Sequence, residues 1–246
     1  MRSKLVVTFA LFAFISAVSS CDTLGQMTGT NGVTTNNGTP SNSEINSGIK
    51  QALQVGVEGA VQQVSALNGY FDNPLIKIMF PPNAAKVEKT LRDIGLGSLC
   101  DKLELSLNRA AEDAAKQATP IFLNALKQMT LGDATNILTG SDTAATAYFE
   151  RTTTSQLTAQ FSPVISKSLN QANATKYWSD VTTQYNKIPF IKPVNTDLTA
   201  YVTQQAINGL FVVIGQKEKQ IRGQLGARTT PLLQKVFGYA QKLNTK

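Results

Sequence analysis

The reactive inventory of this 246-residue chain contains no histidine. That excludes His-based general acid–base catalysis, Ser-His-Asp triads and histidine metal ligands. No Gly-rich phosphate loop occurs, and no cysteine pairs exist for zinc. What remains is oxygen chemistry, with three candidate groups. The first is the polar stretch from Gly132-Asp133 to Thr139-Gly140-Ser141-Asp142-Thr143. Its carboxylates and hydroxyls are hard donors of the kind calcium or magnesium accepts, though not at EF-hand spacing. The ordinary role of Asp133 and Asp142 is as N-caps of successive short helices. The second is Arg109, Glu112 and Asp113, three and four apart on one helix face in an Ala-rich segment. They form either an intramolecular ion pair or an Arg–carboxylate cluster for a polar or anionic ligand. The third is aromatic: Tyr177 and Trp178, with Tyr185, Phe190 and Phe149, line a pocket or belong to the core.

The two cysteines have different settings. Arg2 and Lys4 precede an apolar run from Leu5 to Val18, and the run ends Val18-Ser19-Ser20-Cys21. It is shorter than the roughly 20 residues a membrane span needs, and has the length of a signal-peptide core. The ending resembles the bacterial lipobox, in which the cysteine takes a diacylglyceryl group, the chain is cut before it, and acyl chains such as palmitate anchor the product. An ordinary secretory signal with a chance cysteine is the alternative. Cys100 is then the one remaining thiol, which reads as a small buried hydrophobe.

Residues 26–43 are rich in Gly, Asn, Thr and Ser and carry no charge. They cannot bury enough apolar surface to order themselves, and read as a tether with an average reach of about 20–25 Å. The expected organisation is residues 1–20 signal, 21–43 lipidated N-terminus and tether, and 44–246 one helical domain. Loss of the signal lowers Lys plus Arg from 23 to 21 against 16 Asp plus Glu, a net charge near +5. No basic stripe with interleaved aromatics occurs, so nucleic acid is not an expected partner.

The elements that position these groups are helices. Ser41 and Glu44 form a capping box, followed by Ile45, Ile49, Leu53, Val57, Ala60, Val64 and Leu67 on one face, with Gly69 as the stop. Residues 73–82, apolar and bounded by prolines, read as an extended or buried connector. A helix from about Asn83 to Leu96 turns Val87, Leu91 and Ile94 inward and stops at Gly95 and Gly97. The next runs from Ser98 through Ala118, with Pro120 kinking or restarting it. Leu131 to Thr139 is a short helix ended by Gly140. Asp142 caps a helix through Phe149, and Leu157 to Leu169 mark another, interrupted at Pro163. Tyr177 to Tyr185 mark one more, closed by Ile188-Pro189. Residues 190–194 are the second proline-framed connector. Asp197 caps the longest clear helix, whose inner face is Leu198, Val202, Ala206, Gly209, Leu210, Val213 and Ile221, and Pro231 opens the last. The fold class is therefore all-α: a single-domain multi-helix bundle with two short proline-framed extended connectors.

Several stretches resemble the bacterial family of exported helical proteins catalogued as domain of unknown function 4197. They are residues 73–78 (NPLIKI), 107–115 (LNRAAEDAA), 142–146 with Tyr148-Phe149, 185–190, 201–203, and 227–230 leading to 235–238. The resemblance covers Glu44 to Gly238 and implies a helical fold but no assigned activity. Ala147 stands where the family pattern usually has an acidic residue.

The expected function is that of a membrane-anchored lipoprotein of the cell envelope, facing the periplasm. Its domain binds or scaffolds rather than catalyses, holds no cofactor, and has the membrane and an envelope protein as partners. Asp22 after the cysteine resembles the inner-membrane retention signal of enterobacteria, and the sequence leaves inner against outer membrane open. The alternatives are a carboxylate- or divalent-metal-dependent enzyme and a carrier of an apolar ligand.

Overall fold

A computed structural model describes residues 39–186, 194 and 197–244. The signal, Cys21 and most of the tether lie outside them, as does most of the second connector. All the described residues fall in one compact unit, Asn37–Lys246. Among them are nine α-helices and no strand: α1 Asn42–Ser65, α2 Ala85–Asp93, α3 Gly97–Ala115, α4 Ala118–Gln128, α5 Leu131–Thr139, α6 Ala144–Gln171, α7 Ala174–Tyr185, α8 Leu198–Gly223 and α9 Pro231–Asn244.

The core helices are α1, α3, α6 and α8. α8 packs against α1, α3 and α6, and is apolar enough to pass as a membrane span, yet most of its apolar window is buried inside the bundle. Its Asp197 side chain accepts from Ala200 N–H, the expected N-cap. All seven predicted inner-face residues are buried. Ser41 and Glu44 make both halves of the capping box that opens α1. Aromatic rings fill the space between α4, α6 and α8. Phe122 meets Phe149 edge-on at 5.0 Å and Phe211 at 6.2 Å, and burying each such ring contributes about 1.5–3 kcal/mol.

Several boundaries differ from the sequence reading. α1 ends at Ser65, not Gly69: Ala66 is already extended at ψ 161°, and Asn68 follows in the left-handed turn conformation at φ 66°. Leu67 thus leaves the helix and is 78% exposed. Gly69 is required for another reason: a Cβ there would stand 2.4 Å from Gln63 O and 2.5 Å from Val64 O. α2 stops at Asp93, so Ile94 is exposed rather than inward. Gly95, at φ 86°, makes the stop, whereas Gly97 begins α3. The two helices expected on either side of residue 150 are one, α6, which continues through Pro163. Pro163 removes the donor for the carbonyl of Ala159. Both residues are on the exposed side, where water can replace it.

Candidate functional site

The first connector is held by one stripe of α3. Glu104, Asn108 and Glu112 recur every four residues and are buried. The Asn108 amide donates to Ile78 O at 2.9 Å while its oxygen accepts from Ile78 N–H at 2.8 Å. Glu112 Oε1 accepts from Tyr70 N–H and Phe71 N–H. Glu104 pairs with Lys77 at 2.7 Å. Two polar side chains in an Ala-rich helix, Asn108 and Glu112, thus satisfy backbone groups of a segment that has no sheet or helix to satisfy them, and Glu104 holds its Lys77 side chain. From the other side the Tyr70 hydroxyl donates to Ala206 O on α8 at 2.6 Å. Burial, with the Glu112 charge adding to it, holds that phenol far above its ordinary pKa.

The predicted charged group divides here. Arg109 pairs with Glu112 Oε2 and also donates to Asn68 Oδ1, so it braces the turn after α1. Asp113 faces elsewhere, accepting from Lys116 and from Ser168 on α6. Burial pushes its carboxyl up, but those hydrogen bonds together with the charges of Lys116 and Arg109 hold it below the usual value.

A second polar joint was not among the sequence candidates. Glu218 and Arg222, one turn apart on α8, sit between the end of α5 and the start of α6. Glu218 accepts from Ala145 N–H and Thr146 N–H, both at 2.9 Å, and from the Thr146 hydroxyl at 2.8 Å. It is the N-terminal cap of α6, supplied from more than seventy residues away. Arg222 bonds Glu218 at 2.9 Å and donates to Ile137 O at 2.6 Å, in the last turn of α5. Each charge meets the helix end of opposite partial charge. Beside the pair lies a small pocket of about 20 Å³, walled by apolar side chains including Val57, Ile137, Phe149, Ile214 and Phe237.

Arg228 forms a third joint. It is 1% exposed and donates to Ile221 O, Arg222 O and Gln241 Oε1, with Phe237 against its face. It covers the last carbonyls of α8, and burial draws its pKa down.

The remaining sequence candidates separate. Asp133 is not an N-cap but the third residue of a capping box: Thr130 caps α5, and the two exchange hydrogen bonds. Those bonds hold the Asp133 carboxyl below its ordinary value. Asp142 is exposed and precedes the N-cap, Thr143, which makes no side-chain cap bond. The capping role predicted for Asp142 belongs to Glu218. Among the described residues no group of three or more acids and cysteines is placed to hold a metal. Trp178 is buried edge-on to Phe80 at 6.1 Å, whereas Tyr177 is 40% exposed. Phe149 packs with Phe122, and Phe190 lies outside the described residues. Cys100 is buried, and burial raises its thiol pKa.

The signal that identifies Glu104, Asn108 and Glu112 was present in the sequence as four-residue spacing within an otherwise small-residue helix. Glu218 and Arg228 carry no comparable local signal, because their partners are remote. A family model described as Protein of unknown function (DUF4197) matches residues 39–238. No curated protein and no solved structure matches the chain.

Proposed function

We propose that this chain, which belongs to the DUF4197 family of proteins of unknown function, is a lipid-anchored lipoprotein of the bacterial cell envelope whose helical domain binds a partner without catalysing a reaction. One observation carries the non-catalytic half. The buried polar groups Asn108, Glu112, Glu218 and Arg228, and the half-buried Arg222, all spend hydrogen bonds on backbone groups of neighbouring segments. Most stretches of the family resemblance fall at or beside these joints. Residues 73–78 and 107–115 face each other across the α3 stripe, residues 142–149 start α6 on Glu218, and 227–230 hold Arg228. The anchoring half is supported by Arg2, Lys4, the apolar run and Val18-Ser19-Ser20-Cys21.

Labelling with radioactive palmitate in a bacterial host tests the anchor. The wild type is expected to carry label and to stay with membranes through detergent-free washing, and Cys21→Ser to lose both. Release of intact, unlabelled wild-type protein would overturn it. A second reading, carriage of an apolar ligand, would need the small apolar-walled pocket beside Glu218 and Arg222 to widen on binding. Native mass spectrometry of residues 37–246 decides it. Extra mass that vanishes on denaturation supports the carrier, and equal masses favour partner binding.

A further inference from the structure

The first connector has an unpaired backbone edge. One side-chain amide, that of Asn108, takes both the N–H and the C=O of Ile78. Those two groups therefore point the same way, as they do in a β-strand and not in a helix. Every peptide bond among the described residues is trans, and the C=O and N–H of a trans peptide unit point in opposite directions. The C=O of Lys77 shares its unit with Ile78 N–H, so it points away from Asn108. The N–H of Met79 shares its unit with Ile78 C=O and points the same outward way. Lys77 N–H reaches Asn73 O at 2.8 Å, and Met79 O accepts from the Tyr201 hydroxyl at 3.1 Å. Lys77 O and Met79 N–H have no hydrogen-bond partner among the described residues.

Proteins guard such edges with outward charges, lysine above all. Here the guard is turned aside: the Lys77 ammonium pairs with Glu104 at 2.7 Å and lies 4.2 Å from the centre of the Phe71 ring. The outward neighbours are apolar, with Leu75 69% and Met79 50% exposed. Pro74 and Pro81 bound the segment and keep the edge short. The free pair is also self-complementary, because the acceptor stands one residue before Ile78 and the donor one residue after it. A second copy running antiparallel sets Met79 N–H against the partner's Lys77 C=O, and the reverse. The two bonds close one antiparallel bridge around the facing Ile78 residues, an isologous contact. We propose that residues 77–79 pair edge to edge across a two-fold axis and hold a weak homodimer. This deepens the partner-binding reading by naming a second copy of the chain as the partner, and it needs no lipid.

Sedimentation equilibrium of residues 37–246, the whole compact unit, measures the mass at concentrations up to about 1 mM, enough to populate a weak pair. The mass should climb from monomer toward dimer. Met79→Pro deletes an N–H that the folded monomer leaves unused, and should weaken pairing about tenfold or more. Met79→Lys keeps the N–H but sets a like charge opposite the partner's Lys77. It should weaken pairing several-fold, since the clash occurs on both sides of the axis. Ile94→Lys makes the same charge change on an exposed apolar residue between α2 and α3, and should pair like the wild type. Circular dichroism establishes which variants are folded; should Met79→Pro fail, the two lysine variants decide. A wild-type mass that stays monomeric throughout that range would overturn the proposal. So would undiminished pairing by folded Met79→Pro, or equal weakening by Met79→Lys and Ile94→Lys. A monomer would leave the palmitate result and the binding of a different protein untouched, so the two readings fail separately.

Discussion

Glu218→Ala tests the joint between α5, α6 and α8. The carboxylate makes three hydrogen bonds to the start of α6 and holds Arg222, whose side chain is 11% exposed. Its removal leaves two helix N–H groups without an acceptor and a nearly buried guanidinium without its counter-charge. Breaking a buried pair in this way costs about 3–5 kcal/mol, against a total stability of about 5–15 kcal/mol for a folded domain. For a domain of this size each kcal/mol lowers the melting temperature by about 2–4 °C, so a fall of about 6–20 °C is expected. Circular dichroism melts of residues 37–246 measure it. The companion is Glu218→Ala with Arg222→Leu. With the orphaned cation gone, the double variant should lose clearly less stability than the two single losses combined. A fall below about 3 °C for Glu218→Ala would refute the reasoning. So would strict additivity, since it would mean that the two charges do not depend on each other.

Three further outcomes are expected. Glu44 is held ionised by hydrogen bonds from Lys235 and Ser41, which lower its pKa from 4.5 to about 2. Its contribution is therefore present above pH 4.5 and is lost as pH falls toward 2, and Lys235→Met should flatten the fall in urea midpoint between about pH 5 and about pH 2.5. Gly209→Ala puts a Cβ 2.8 Å from Tyr70 Cε1 and 3.1 Å from Ile76 Cβ. It should cost about 1–3 kcal/mol, whereas Gly215→Ala on the same helix, 3.5 Å from its nearest neighbour, should be neutral or stabilising in the same melts. Cys100, buried and raised in pKa, should react with a thiol reagent only after unfolding; prompt reaction in the native state would contradict its burial.

The parts legible in the sequence are those fixed within a turn or two of helix. The capping box at Ser41, the cap at Asp197, the bounds of α5 and the inner face of α8 all depend on neighbours three or four residues away. Where distant partners decide, local rules misplace the outcome. Asp142 looks like a cap, yet the cap of α6 is Glu218. Proline at 163 looks like a break, yet the packed faces on both sides of it hold α6 together and its lost hydrogen bond faces water. Asn68 rather than Gly69 turns left-handed because Arg109 grips its side chain, while Gly69 is reserved for close approach of the backbone. The Arg109–Glu112 pair was readable from spacing, but its service to the connector was not, since Tyr70 and Phe71 lie some forty residues earlier. The aromatic candidates divided because Trp178 and Phe149 face different neighbours.

The joint on α8 also sets an order of events. A chain that emerges N-terminus first from a ribosome presents α5 and α6 long before Glu218 and Arg222 exist to fasten them. α1 waits still longer, since two of its partners are α8 and α9. Contacts this far apart in sequence form slowly. Until α8 and α9 arrive, α1, α3 and α6 lack the face they pack on α8, and a protein truncated before α8 should be cleared as unfolded material rather than persist as a smaller domain.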